Sequence, residues 1–276
     1  MEPTRTTQEH LLLDDAIEQV VRAFRRLIPR RVALRDAPGR AIAEDIEDEQ
    51  TGQKLIEAWS VLRGAQIGLL DMIGRETVSV VPRPRVAILT GTPATVHALC
   101  TGTGAVVVGE TTIGDDAAAI SEWLNGVAQI CDAIVVTAEP DGAAIEVLAT
   151  EGWMRTLAPA TEPSIEVSVA RIAQTPVLAL PADPARTAIA GHVFLQRALR
   201  SMAGLPVEPV VIRARLSARS APPAGRTVLT PVRLIDGAAV PTQTGSTPTL
   251  TELNAADGIA RIDATRRDEV VVELLT

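Results

Sequence analysis

Four short apolar runs, Arg85–Leu89, Ala105–Val108, Ala133–Val136 and Val177–Leu180, alternate with helical stretches along the middle of the chain. The intervening segments, Ala117–Gln129, Ala143–Leu148 and Thr187–Met202, carry helical patterning, and Val96–Leu99 fits a short helix or loop. Runs of Val, Ile and Leu without alternation belong to strands buried on both faces. Their alternation with helices predicts a parallel sheet covered on both sides.

The flanks have different periods. Leu13, Ile17, Val20, Phe24 and Leu27 recur at spacings of three and four, so one helical stripe opens the chain. Thr6 and Glu9 have capping-box spacing, and Pro29 stops the helix. Val32–Leu34 fits a short strand, and Asp36-Ala-Pro-Gly39 a turn; Arg40–Ile46 runs into a helix or strand. Residues 47–54 are polar and without period, as in a linker or sharp crossing. Leu55–Ile73 predicts another helix, with Ile56, Trp59, Leu62, Ile67 and Leu70 facing inward and Gly74 as its C-terminal cap. Thr77–Val81 fits a strand. After Gly204 the pattern turns to strands at Val210–Leu216, Thr227–Leu234, Ala238–Val240, Gly258–Ile262 and Val270–Leu274. Asp236-Gly237 is a hairpin signal. The expected fold class is therefore α/β: a three-layer central domain at 85–204, an N-terminal helical and linker segment at 1–84, and a small all-β domain at 205–276.

Composition narrows the function classes. With 46% hydrophobic residues the chain can bury a core, and a net charge of −8 argues against a nucleic-acid partner. The chain starts without the apolar core of a signal peptide, and no run approaches the roughly 18 apolar residues of a membrane span, so a cytoplasmic protein is expected. Cys100 and Cys131 lack metal or redox spacing and fit buried thiols. Of 26 basic residues only Lys54 is lysine, so lysine chemistry has one residue to draw on.

Ligands of open parallel sheets bind at the carboxyl ends of the strands. Four loops lie there. Thr90-Gly-Thr-Pro-Ala-Thr95 is either an ordinary strand-to-helix turn or, through the N–H groups around Thr90, Gly91 and Thr92, an anion cradle. In Gly109–Asp116, the pair Asp115 and Asp116 either caps the next helix or offers carboxylates to a metal or substrate. Thr137-Ala-Glu-Pro-Asp-Gly142 is a turn without a glycine cluster. Leu180-Pro-Ala-Asp-Pro184, with Pro181, Asp183 and Pro184 and then Arg186, is a rigid loop, either structural or ligand-holding, with Asp183 placed to cap a helix. His10, His97 and His192 are far apart in sequence and fit satisfied or surface histidines. No Ser-His-Asp spacing, P-loop or metal-ligand cluster is present.

The order of these segments resembles the MoeA family, the molybdopterin molybdenumtransferases, which include the gephyrin E domain. Leu13-Asp-Asp-Ala-Ile-Glu18 and Val32-Ala-Leu-Arg-Asp-Ala-Pro-Gly-Arg-Ala-Ile-Ala-Glu-Asp45 are similar to its opening helix and L-x-x-A-x-G-R-x-L-A-E-D segment. Ile67–Gly74 with Val78–Gly91 resembles the start of its central domain, and Leu180–Pro184 stands where the family has Leu-Pro-Gly-Asn-Pro. Gly245-Ser246 and Asn254-Ala-Ala-Asp-Gly258 resemble its closing β domain. The resemblance implies a MogA-like central domain, a homodimer, a protein partner in the same pathway, and a role in molybdenum cofactor biosynthesis. Family enzymes insert molybdate into adenylylated molybdopterin with a divalent cation such as magnesium and release AMP.

The departures are large. After Asp45 the family inserts a β-rich domain with catalytic acids; only linker residues stand here. Its Ser-Thr-Gly-Asp-Glu-Leu becomes Leu89-Thr-Gly-Thr-Pro-Ala94, its Gly-Gly-Val-Ser-x-Gly becomes Ala138-Glu-Pro-Asp-Gly142, and its Lys-Pro-Gly-Lys-Pro has no counterpart. Thr90, Gly91, Asp115, Asp116, Pro181 and Pro184 carry over. Asp183 in place of Asn sets a negative charge against an anionic ligand. At about 4 Å and an effective dielectric of about 20 that repulsion is roughly 4 kcal/mol, unless the side chain turns into a cap. The expectation is a degenerate, non-catalytic binding or scaffold homologue. The alternative is an active transferase whose cation sits on Asp115 or Asp116.

Overall fold

The computed structural model describes residues 11–48, 51–217, 225–245, 247–263 and 269–275. The expected Thr6–Glu9 capping box, His10 and Ser246 lie outside the described residues. Helix α1 (Leu13–Ala23) opens the described chain, followed by β1 (Arg30–Ala33), the short pair β2 (Ile46–Glu47) and β3 (Lys54–Ile56), α2 (Gly64–Met72) and β4 (Thr77–Val80). The middle runs β5 (Arg85–Leu89), α3 (Pro93–Gly102), β6 (Val106–Thr111), α4 (Ala117–Val127), β7 (Ala133–Ala138), α5 (Ala143–Glu151), β8 (Trp153–Leu157), β9 (Thr161–Glu162), β10 (Val167–Ile172) and β11 (Thr175–Pro181). Helix α6 (Pro184–Ala190) continues through one π-helical turn, Gly191–Leu195, into α7 (Gln196–Met202). The last part holds β12 (Val211–Leu216), β13 (Thr227–Ile235), β14 (Ala238–Pro241), α8 (Leu250–Asn254), β15 (Gly258–Asp263) and β16 (Glu269–Leu274).

The central sheet has the order β6-β5-β7-β11-β10-β8. Strands β6, β5, β7 and β11 are parallel, as the apolar runs predict. Strands β10 and β8 extend the sheet antiparallel, and no strand is expected there from the sequence. Successive residues of β5 face opposite layers. Val86 and Ile88 join a core with α1, α3 and α6–α7, while Ala87 and Leu89 join one with α4 and α5. Phe24 and Phe194 are fully buried in the first layer, each stabilising it by about 1.5–3 kcal/mol. Cys100 and Cys131 are buried free thiols, and desolvation pushes them up to about 12 and about 11.

A smaller core gathers Leu34, Ile42, Ile46, Ile56, Leu62, Leu70, Val78 and Val80. The expected helix over 55–73 is corrected here. Leu55 and Ile56 are strand, the chain turns at Trp59 with φ 71°, and the helix starts at Gly64. At that start the Gln66 side-chain oxygen accepts from the Arg63 N–H at 3.1 Å. Where the resemblance implies an inserted domain, β2 and β3 form a short antiparallel pair, and Lys54 reaches Asp45 at 3.0 Å. The C-terminal sheet runs β14-β12-β16-β15-β13-β9, and β14 also pairs with β13, closing a small barrel. Asp236 and Gly237 take φ 50° and 76° at the hairpin between β13 and β14, the left-handed pair that the dipeptide predicts. Helix α8 in this part is not expected from the sequence. Strand β9 leaves the central region to pair with β13 and so stitches the two units together.

Candidate functional site

The loops after β5, β7 and β11 meet at the carboxyl end of the sheet. Thr90 is buried, and its hydroxyl lies 2.8 Å from the Thr137 hydroxyl and 3.3 Å from that of Thr92. The Thr92 N–H donates to Thr90 Oγ1 at 3.0 Å, and the Gly91 N–H donates to Thr137 Oγ1 at 3.3 Å. Thr112 donates its hydroxyl to the Thr90 carbonyl at 2.8 Å. The donors that could cradle an anion are thus turned onto side chains of the same loop cluster. Thr137 is the hinge of this arrangement, and sequence reasoning did not single it out. Its signal is present: it ends an apolar run beside β5 and aligns in register with Leu180.

Asp116 is the N-cap of α4 and accepts from the N–H groups of Ala118 and Ala119, each at 3.1 Å. Asp115 beside it is exposed. Asp183 caps α6 by accepting from the Arg186 N–H at 2.9 Å, with Pro184 at the first helical position. The Thr187 hydroxyl donates to the carbonyls of Pro181 at 2.6 Å and Asp183 at 2.8 Å, which locks the same turn. Both aspartates take the cap role that local spacing allows.

A crevice of about 170 Å³ opens where these strands end. It brings Pro181 and Asp183 together with Glu139, Glu166 and Arg186; Thr90, Gly91, Thr92, Asp115, Asp116 and Pro184 do not line it. Three acidic residues and one arginine line it, and the Nε of Arg186 is buried without a partner. Glu166 escaped the sequence reading because it sits beside β10, in a stretch where no element is expected. Among the described residues no group of three His, Cys, Asp or Glu side chains could hold a metal, and Asp116 already accepts two backbone N–H groups.

The histidines lie elsewhere. His97 contacts Glu110 at 2.8 Å on the surface. His192 is buried in the π-helical turn, where desolvation lowers its basicity more than nearby Glu273, 3.9 Å away, raises it.

The fold and site define an α/β protein with a carboxyl-end crevice, joined to a small β-barrel. No family model matches the sequence. Two curated relatives do, both named molybdopterin molybdenumtransferase 2, from Mycobacterium tuberculosis strains CDC 1551 / Oshkosh and ATCC 25618 / H37Rv. Each is 27% identical over 206 residues, covering 63% of this chain and 51% of the relative. The chain therefore spans about half the length of the curated relatives it matches. Among solved structures, a molybdenum cofactor biosynthesis protein from Pyrococcus furiosus superposes with TM-score 0.79 at 20% identity, over 97% of this chain and 100% of that one. The molybdopterin biosynthesis moeA protein from Pyrococcus horikoshii OT3 gives 0.75 at 14%, over 97% and 100%. The likeness to these structures is one of fold. In sequence the chain is similar to the two molybdopterin molybdenumtransferases.

Proposed function

We propose that this chain is a binding or scaffold protein of molybdenum cofactor biosynthesis that does not itself insert molybdenum. One observation carries the reading: the N–H groups of Gly91 and Thr92 are satisfied by Thr137 and Thr90. An oxyanion would have to break those bonds before it could accept from the loop. Two further features support it. The crevice holds Glu139, Glu166 and Asp183 against Arg186 alone, an arrangement that repels anionic pterin and molybdate. The cap role of Asp116 commits one of its oxygens, Oδ1, to two backbone N–H groups that compete with a cation. A homodimer, a pathway partner and a cytoplasmic location belong to the same proposal and rest on the family resemblance. The test supplies the full chain with adenylylated molybdopterin, molybdate and magnesium and measures AMP. No release above a protein-free control is expected; release that scales with protein concentration overturns the reading.

A further inference from the structure

The opposite end of the central sheet has the opposite charge. A second cavity, about 260 Å³, lies at the amino ends of β7 and β11, where Asp132 and Pro176 line it. The chain leaving α1 supplies Arg25 and Arg26, and the end of β10 supplies Arg171. Gln174, on the turn between β10 and β11, adds an amide. Among the described residues, neither Arg25 nor Arg171 has a carboxylate within ion-pair distance. Arg26 lies over the Trp59 ring at 4.0 Å, which holds the guanidinium without neutralising it. The one acid in the lining is Asp132, and it is fully engaged. Its two oxygens take Nε and Nη2 of Arg85 at 3.1 and 3.0 Å, and one also accepts the Arg85 N–H at 2.8 Å. Three arginines therefore line one concave site in a chain whose net charge is −8.

We propose that this cavity binds a phosphoryl group, free or carried on a small organic ester. Guanidinium forks suit phosphate because two parallel N–H donors match two phosphate oxygens. The Gln174 amide can donate a further hydrogen bond or meet the ester's hydroxyl groups. The site is separate from the carboxyl-end crevice and independent of the function proposed for it.

The experiment is calorimetric titration of the full chain with inorganic pyrophosphate and, separately, with glycerol 3-phosphate. Saturable binding of either is expected, and which one binds tells the free anion from the ester. Arg25→Gln and Arg171→Gln should each raise Kd roughly tenfold or more, the size of one lost charge-assisted hydrogen-bond partner. Gln174→Glu, which removes no arginine, should weaken binding as well, and it keeps the test open if an arginine variant fails to fold. Arg186→Gln, in the other crevice, should leave Kd unchanged. The proposal is overturned if neither probe binds, if binding survives the Arg25, Arg171 and Gln174 changes, or if a hexaglutamate peptide binds where neither phosphate does.

Discussion

Replacing Glu273 with Gln tests how the barrel is anchored to the central unit. Glu273 lies on β16 with only 3% of its surface exposed. Its Oε1 accepts from Arg197 Nη2 at 2.8 Å and lies 3.6 Å from Arg261 Nη1, and His192 Nε2 is 3.9 Å from its other oxygen. Arg197 is equally buried and otherwise donates to the Val193 carbonyl at 2.8 Å within the π-helical turn. Glutamine keeps the shape and one acceptor, but it leaves the Arg197 cation inside the protein without a counter-charge. Removing one partner of a buried pair costs about 3–5 kcal/mol. The retained acceptor sets the expectation at about 3 kcal/mol. For a chain of this size that is a fall of roughly 6–12 °C in Tm. Urea unfolding followed by circular dichroism gives the free energy, and a thermal melt gives Tm. Asp14→Asn provides the contrast. Its bond to Arg261, 2.7 Å long, has a carboxylate that is 76% exposed, so about 0–1 kcal/mol is at stake. The double change Arg197→Met with Glu273→Leu should recover most of the loss, because it removes both charges together. A Glu273→Gln protein within about 1 kcal/mol of wild type would refute the reasoning, as it would mean that the arginine is solvated after all.

Two further outcomes follow from the same physics. Burial holds the His192 imidazole below the ordinary histidine range. The unfolded chain takes up that proton first, so the contribution to stability is complete above about pH 6.5 and is lost as pH falls toward the depressed folded value. His192→Gln should flatten the decline of the urea midpoint on acidification, and an unchanged slope would refute the assignment. At the α6 cap, Asp183→Asn should leave stability within about 0.5 kcal/mol, while Asp183→Ala should lose about 1 kcal/mol, both read from urea unfolding.

Three of the parallel strands, β5, β7 and β11, were legible because they are buried on both faces and so are written as unbroken apolar runs, whereas β6 sits at the sheet edge with Val106 and Val108 exposed. The Asp236-Gly237 turn was legible because its two left-handed residues are a local requirement. Strands β8 and β10 were not. Trp153 and Arg155 face outward on an edge strand, and Ser168 is buried against the Thr156 hydroxyl at 2.9 Å, so polar residues interrupt the pattern. The helix expected over 55–73 failed for a different reason. Ile56, Leu62 and Leu70 all reach one small core, but Ile56 arrives there from strand β3 and Leu62 from the chain before the helix starts at Gly64.

The site divides along the same line between local and distant chemistry. The cap roles of Asp116 and Asp183 involve neighbours two or three residues away, so the alternatives could be named from the sequence. The charge of each sheet end could not. Glu139, Glu166 and Arg186 arrive in one crevice from three separate segments, and Arg25 and Arg171, far apart in sequence, line one cavity. The shortage of lysine pointed only to a weakened basic site among the carboxyl-end loops. Arginine changes that inference. Its flat fork needs less help from the backbone than an ammonium does to grip an oxyanion. A protein with one lysine can therefore keep an anion site wherever strand order brings arginines together and the neighbouring carboxylate is already paired, as Asp132 is with Arg85. In this fold that condition is met at the amino end of the sheet, while the carboxyl end collects acids.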